Sequence, residues 1–252
     1  MRAPAKFRRC GFPRERLARL SQLERWHFWF AGRRALIDRL LKQCVDGTAR
    51  RILDLGCGSG LGVETLTLRG YRVVGLDRRP EGLHATRRSL SGLWLLQADA
   101  TSLPFVQGAF DVVLLLDLLE HLDDRMLLAE VGRVLRPGGW VLVTVPAMPW
   151  LWSYRDEAAE HLRRYTRRQL TRLLADMGLP VQGVYYYQCV LFPLVVITRL
   201  WGRSGPGLRD LEERPISLLN TVLTWVNRAE VRLGGVVRWP WGSSLVALCR
   251  KA

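Results

Sequence analysis

The sequence predicts an α/β fold, a mostly parallel sheet with helices on both faces. Short apolar runs recur between residues 51 and 146, and a glycine turn or an acidic residue follows most of them. Apolar runs without strict alternation are typical of parallel strands that are buried on both faces. Segments with helical periodicity lie between these runs. The 252 residues suffice for one such domain with a full core and a small addition.

The clearest element is the stretch Ile52–Gly62, which predicts a buried strand, a glycine turn and the start of a helix. It does not fit the dinucleotide fingerprint G-x-G-x-x-G, because Leu61 or Val63 stands where the last glycine is needed. The pattern from Asp54 onward is instead D-x-G-x-G-x-G. Such a loop lets a ligand lie against bare backbone without having to bind a phosphate.

Four further strands are predicted after this element. The run ending at Asp77, 17 residues beyond Gly60, is the second strand, and the run ending at Asp99 is the third. Phe110–Leu116 is the fourth strand, and an Arg-Pro-Gly-Gly turn leads into the fifth. The carboxyl ends of parallel strands bind ligands in open α/β sheets, and an acid at the tip of the neighbouring strand suits a ribose.

These five segments, in this order, resemble the class I S-adenosylmethionine-dependent methyltransferases, in particular the small-molecule, quinone-methyltransferase-like group (methyltransferase type 11/12-like). The resemblance covers Arg51–Pro146. It implies a Rossmann-like sheet of seven strands with an antiparallel last strand, an enzyme, and S-adenosyl-L-methionine as cofactor. It places the ribose on Asp77 and the adenine beside Arg78, Asp99 and Ala100. The implied cofactor site comprises Asp54, Gly56, Cys57, Gly58, Gly60, Asp77, Arg78, Asp99, Ala100, Leu116 and Asp117.

The chain is predicted to have four parts: a basic helical lid (1–50), the cofactor-binding core (51–187), a helical insert rich in tryptophan and arginine (188–242), and the final strand (243–252). The lid is predicted as a helix over Arg14–Cys44, with Arg33 or Arg34 near the cofactor carboxylate. The apolar run in the insert is shorter than the roughly 20 residues that a membrane-spanning helix needs. A second helix, Ile216–Leu233, is predicted to place Leu218, Leu219, Val222, Leu223, Trp225 and Val226 toward one side.

Candidate chemical groups follow the fourth strand. Asp117, Glu120 and His121 share a face if a helix begins there, which allows three interpretations: ordering of the loop, a catalytic base, or a divalent-ion site completed by His161. We favour the ordering role and predict no metal. The candidates for a catalytic base are His121 and His161. The substrate wall is predicted to comprise Trp29, Arg33, Trp150, Trp152 and Tyr165.

The net charge of +15 is confined to the two ends of the chain. Residues 1–50 hold 13 basic and 4 acidic side chains, residues 51–150 hold 10 and 11, and residues 151–252 hold 15 and 8. Nearly all the basic residues are arginine, so compositional bias is the first explanation, and attraction to an anionic membrane is the second. We do not expect nucleic acid as a partner, because no RNA-binding motif is visible.

The predicted function is methyl transfer to an oxygen or nitrogen atom of a small-molecule or lipid-like acceptor. An RNA methyltransferase and a non-catalytic cofactor-binding scaffold are the alternatives. The insert is expected either to dock on an anionic membrane surface or to form a cap or a homodimer interface. Five cysteines without a C-x-x-C motif, and a basic start that no apolar run follows, predict a cytoplasmic protein. If the insert docks on a membrane, the protein would be peripheral on its inner face.

Overall fold

The computed structural model describes residues 23–45, 50–81, 83, 92–201, 216–234 and 239–252. Residues 1–22, which include the beginning of the predicted lid helix, and residues 202–215 and 235–238 of the predicted insert lie outside these ranges. In chain order the elements are α1 (Phe28–Cys44), β1 (Arg51–Leu55), α2 (Leu61–Leu68), β2 (Arg72–Asp77), β3 (Trp94–Gln97), β4 (Phe110–Leu116), a 3₁₀ turn (Leu119–His121), α3 (Asp124–Val134), β5 (Leu135–Pro146), a 3₁₀ turn (Pro149–Leu151), α4 (Tyr154–Ala158), α5 (Arg167–Asp176), β6 (Val181–Tyr187), α6 (Phe192–Trp201), α7 (Ser217–Leu233) and β7 (Ser244–Arg250).

The strands form one seven-stranded sheet in the order β3-β2-β1-β4-β5-β7-β6. Neighbouring strands from β3 to β5 are parallel, and β7 is antiparallel to both β5 and β6. The predicted fold class is therefore confirmed. Leu55 is in register with Leu76 on one side and with Leu115 on the other. The carboxyl ends of three central strands thus lie level, which brings Gly56, Asp77 and Leu116 to the same edge.

Successive side chains of the central strands enter two separate cores, one on each face of the sheet. Ile52 and Val112 pack in the core that includes α1 and α2, whereas Leu53 and Val113 pack in the core that includes α3 and α5. Burial on both faces explains why these strands read as continuous apolar runs. It also fixes the register, because a shift by one residue would exchange the two faces.

Within the described residues, the predicted lid helix is interrupted. The turn at residues 24–26 breaks it, and α1 begins at Phe28 with His27 as its N-cap. Four aromatic side chains at residues 26–30 cannot share one face of a helix, and the break resolves this conflict. Phe28 and Phe30 are buried, whereas Trp26 is exposed.

Two asparagines attach the insert to α1. The Asn220 side chain accepts the N–H of Phe28 (2.8 Å) and donates to the carbonyl of Trp26 (2.8 Å), and Asn227 donates to the carbonyl of Phe28 (3.2 Å). Gly32 permits this approach, because a Cβ there would stand 2.9 Å from the Cβ of Asn227. Helix α7 therefore packs along α1 and covers the sheet on that side.

The prediction that six apolar residues of α7 face one side is wrong. Leu223 is buried, and Leu219 and Val226 pack beside it. Leu218, Val222 and Trp225 are exposed instead. Asn220, Asn227 and Glu230 occupy part of the buried face, which rotates those three residues outward. Within the described ranges, no helix combines the length and the hydropathy needed to cross a membrane.

Candidate active site

A cavity of about 900 Å³ opens at the carboxyl edge of the sheet. Its volume lies toward the upper end of the 300–1,000 Å³ that ligand pockets usually have. The glycine turn after β1 and the ends of β2 and β4 bound one part of it. The start of α1, the segment around α4, and α6 bound the other part.

The glycine turn exposes its backbone to the cavity. Gly58 has a φ of +55°, and a Cβ added there would meet nothing within 4 Å. The N–H of Gly58 donates to the carboxylate of Asp77 at 2.8 Å, and the N–H of Arg79 donates to the other oxygen at 2.9 Å. The turn and the acid at the end of β2 are therefore held together. This open backbone beside a carboxylate fits the methionine and ribose parts of S-adenosylmethionine.

Of the acidic residues Asp77 and Asp54, only Asp77 lines the cavity. Asp77 lines it, and burial raises its pKa although three backbone N–H groups oppose the shift. Asp54 does not line it, because its carboxyl lies behind the turn, 3.2 Å from the position of a Cβ at Gly62. Burial raises the pKa of Asp54 to about 7, and the charge of Arg33 opposes this shift in part. Asp54 therefore lies outside the cavity wall.

The turn before α1 and α1 itself form a lid over the cavity. The Glu24 carboxylate accepts a hydrogen bond from the Ser59 hydroxyl in the glycine turn. Arg33 lies over the Trp29 ring (4.7 Å to its centroid) and donates to Asp117 at 2.8 Å. Arg34 donates to backbone carbonyls of the preceding turn instead. Arg33 is thus the arginine of this pair that lines the cavity.

Asp117 has an unusual backbone conformation, with a φ of +55°. Its N–H donates to the carbonyl of Thr144 (3.0 Å), and its carboxylate accepts the Thr144 hydroxyl (3.1 Å) as well as Arg33. Strained residues of this kind cluster at functional sites and persist where the surroundings determine them. Asp117 therefore connects the end of β4, the adjacent β5 and the lid.

On the side away from the glycine turn, His161 forms a pair with a buried acid. Its Nδ1 lies 3.0 Å from Oδ1 of Asp156, and Asp156 also accepts Arg164 (2.7 Å) and Arg199 (3.2 Å). Burial raises the pKa of Asp156, but the hydrogen bond to His161 and the two arginines outweigh it and hold the pKa well below its usual range. An ionised Asp156 accepts Nδ1–H and leaves Nε2 of His161 as the proton acceptor.

Next to this pair, Glu120, His121 and His161 place potential metal-ligating atoms within 4.8 Å of one another. Glu120 is fully buried, and its carboxyl oxygens have no hydrogen-bond partner among the described residues. Burial raises the pKa of Glu120 well above its usual value, and the charge of Asp117 adds to this shift. Asp117, the fourth member of the hypothetical metal site, is bound to Arg33 and Thr144 instead. The prediction that no metal is bound stays a prediction.

Most of the predicted site residues line this one cavity. These are Trp29, Arg33, Gly56, Cys57, Gly58, Asp77, Arg78, Asp99, Ala100, Leu116, Asp117, His121 and His161. Gly60 caps α2, and Asp54 lies behind the turn. The structure does not place Trp150, Trp152 or Tyr165 in the cavity wall. Trp150 packs on Phe192 and is largely exposed, and Tyr165 is buried with its hydroxyl on Asp124.

Several residues of the wall were not predicted from the sequence, among them Glu24, Phe28, Asp156, Arg164, Leu191 and Arg199. Asp156 follows Ser153 by three residues and forms a capping box with it, so its spacing signals only a helix start. The others come from segments that are far apart in sequence, and no local pattern brings them together.

Comparisons with known proteins agree with this geometry. A model of the methyltransferase domain matches residues 53–143. A probable S-adenosylmethionine-dependent methyltransferase from Mycobacterium tuberculosis is 29% identical over 198 residues, which cover 77% of this chain and 66% of the relative. A fatty-acid O-methyltransferase from Mycolicibacterium smegmatis is 42% identical over 105 residues, 39% of this chain and 38% of that protein. The matches thus span about two thirds or less of these relatives.

The fold also matches solved structures. A geranyl diphosphate methyltransferase in complex with GPP and sinefungin superposes with a TM-score of 0.59 at 19% identity, over 85% of this chain and 76% of that one. The methyltransferase-domain match and the relative that covers 77% of this chain agree with the predicted family, the class I S-adenosylmethionine-dependent methyltransferases, enzymes whose cofactor is S-adenosylmethionine. The predicted family, enzyme class and cofactor are confirmed.

Proposed function

We propose that this protein transfers a methyl group from S-adenosylmethionine to an oxygen atom of a small, lipid-like acceptor. The observation that supports this most directly is the pair formed by His161 and Asp156, which faces the cavity that the glycine turn also lines. A neutral hydroxyl group, or an amine that carries a proton, loses that proton when it is converted to the neutral methylated product. A hydroxyl group in particular needs a base, and a histidine oriented by a buried carboxylate is well suited to that task.

The lining of the cavity supports an acceptor with an apolar part. Phe28, Leu191, Leu194 and Val195 face the cavity from α1 and from the start of the insert. The acids Asp77 and Asp99 are at the ends of β2 and β3, where a cofactor would lie. The acceptor part thus combines an apolar wall with the polar group around His161 and Asp156, which suits an acceptor with an apolar part and a reacting hydroxyl. The partial match to a fatty-acid O-methyltransferase also supports this proposal.

Each residue has a defined role in this proposal. S-adenosylmethionine, held by the glycine turn and Asp77, supplies an electrophilic methyl group when it is bound. His161 accepts the proton of the acceptor hydroxyl at Nε2. Asp156 fixes the tautomer and stabilises the resulting positive charge, and Arg164 and Arg199 keep Asp156 ionised. Orientation of the reactants supplies most of the acceleration, as much as about 7–11 kcal/mol.

The test is transfer of labelled methyl groups to a long-chain alkylphenol, to a long-chain fatty acid and to a long-chain amine. We expect labelling of an oxygen acceptor. The variant His161→Gln should lose about 10²–10⁴-fold in turnover of the phenol while it keeps its cofactor affinity. The carboxylate of a fatty acid is already ionised, so its methylation should depend much less on His161. His121→Gln is the matched control, because His121 lies in the same cavity with its ring 4.8 Å from that of His161.

Two results would contradict the proposal. Label found only on the amine would reject an oxygen acceptor. Unchanged turnover of the phenol by His161→Gln, together with loss in His121→Gln, would move the base from His161 to His121. In the expected case, the acidic limb of the pH–rate profile disappears only in the His161 variant.

A further inference from the structure

Helix α7 has a second apolar face, which is exposed. Its members recur at steps of three, four and eight residues and therefore form one stripe along the helix. Trp225 is 70% exposed, and Leu218 is 75% exposed. The exposed large apolar residues of this stripe are Leu218, Val222, Trp225 and Leu233.

The opposite face of α7 is fully engaged, so the stripe is not needed to pack the helix. Leu223 packs with Phe28 and Leu191, and Val231 enters the core next to α1. Glu230 is buried and accepts the N–H groups of Cys189 (2.9 Å) and Val190 (3.0 Å). These bonds, with those of the two asparagines, fix the rotation of α7 about its axis. The stripe is therefore held outward by the structure.

The exposed side of α7 is positively charged. Arg228 and Arg232 follow Trp225 by three and seven residues, so they lie beside the stripe, and both are exposed. The only acidic residue of α7 is Glu230, which is buried. The exposed side therefore combines apolar side chains with cations and has no anion.

We propose that this face of α7, the docking face (Leu218, Val222, Trp225, Arg228, Arg232 and Leu233), binds the surface of an anionic lipid bilayer. Helices that lie in the membrane interface have this composition, with tryptophan and leucine on the apolar side and arginine at its border. Anionic headgroups complement the two arginines and the net charge of +15. A two-fold contact between two copies would place arginines near each other with no acid of α7 to pair them.

The docking face is close to the wall of the cavity. Leu191 packs against Leu223 on the inner side of α7, and the same leucine lines the cavity. An α7 docked on a bilayer would therefore lie directly behind the acceptor part of the site. The proposal does not rest on the acceptor being a lipid, because vesicle binding is measured without cofactor or acceptor.

The test is flotation of the full chain with vesicles. We expect binding to vesicles of phosphatidylglycerol and phosphatidylcholine at low salt, weaker binding to phosphatidylcholine alone, and release by added salt. Val222→Ser with Trp225→Ser should weaken binding by about tenfold or more. Arg228→Gln with Arg232→Gln should weaken it by about thirtyfold on anionic vesicles.

Matched controls come from other surfaces. The control for the apolar pair is Leu68 (72% exposed) with Val106 (77% exposed). The control for the basic pair is Arg167 with Arg168 on α5, which lies across the sheet from α1. These four, changed to serine or glutamine, should leave binding unaltered. Thermal unfolding and cofactor binding should match the wild type in all variants.

Two results would overturn the proposal. The first is no flotation at low salt, above all if the wild type is a dimer that the apolar double variant dissociates. The second is flotation that both double variants retain, which would place the membrane contact elsewhere. Neither result bears on methyl transfer in solution, so the docking face can fail while the proposed function stands.

Discussion

Replacement of Asp77 by alanine should weaken the binding of S-adenosylmethionine by more than tenfold. In the structure each carboxylate oxygen of Asp77 accepts one backbone N–H, from Gly58 and Arg79. A carboxylate has about four acceptor sites, so at least one of them stays open for a ribose hydroxyl. A hydrogen bond to a charged acceptor contributes about 1.5–3 kcal/mol net. One bond at the low end of that range is about a tenfold change, and two exceed a hundredfold.

Calorimetry with S-adenosylhomocysteine and its 2′-deoxy analogue separates two ways in which Asp77 can act. If Asp77 binds the ribose, the wild type should bind the deoxy ligand more weakly, and Asp77→Ala should bind both ligands equally. If Asp77 acts only by ordering Gly58, the penalty for the missing hydroxyl will persist in the variant, which would refute the ribose assignment. Asp176→Asn is the control, because Asp176 is an exposed carboxylate at the end of α5.

Two further predictions concern buried acids near the site. The pKa of Asp54 is raised to about 7, so the native state binds the Asp54 proton more tightly than the unfolded chain does. The free energy of unfolding therefore falls as the pH rises from about 4 to about 7. Asp54→Asn should remove this loss, which is at most about 4 kcal/mol. In urea unfolding, the free energy of unfolding of the variant relative to that of the wild type should be higher at about pH 8 than at about pH 5. An equal difference at both pH values would contradict the raised pKa. For the cluster of Glu120, His121 and His161, we expect EDTA to leave turnover unchanged, whereas a loss reversed by Mg²⁺ or Mn²⁺ would assign an ion to these ligands.

The sequence predicted the sheet well because its physical causes are local. Strands buried on both faces must be apolar throughout, and the glycines of the turn at Gly56–Gly60 mark where the chain reverses toward α2. An acid at the end of β2 reaches the turn because parallel strands end at one edge. Most residues predicted for the cofactor part therefore line the cavity, whereas Asp54 and Gly60 do not. Their roles in cofactor binding stay predictions.

The acceptor part could not be predicted to the same extent, because its contacts are distant in sequence. Arg199 of α6 reaches Asp156, 43 residues away, and nothing in either segment specifies the pairing. Trp150, Trp152 and Tyr165 were expected in the wall because they are aromatic and follow a strand. Tyr165 instead packs in the core beneath the site, and Trp150 packs on α6. Aromatic character indicates burial or contact but not which surface is involved.

The asparagine contacts between α7 and α1 also have a consequence for how the chain folds during synthesis. Asn220 and Asn227 bond to Phe28 across 192 and 199 residues. The first helix of the lid therefore leaves the ribosome long before its partners exist, while the polar groups at its start still need them. Domains fold as they emerge, from the N-terminus onward, so the sheet through β5 can form first. The cavity obtains its lid only when nearly the whole chain has been made. A nascent or truncated chain that ends before Asn220 would thus have the glycine turn and Asp77 without the lid fixed over them.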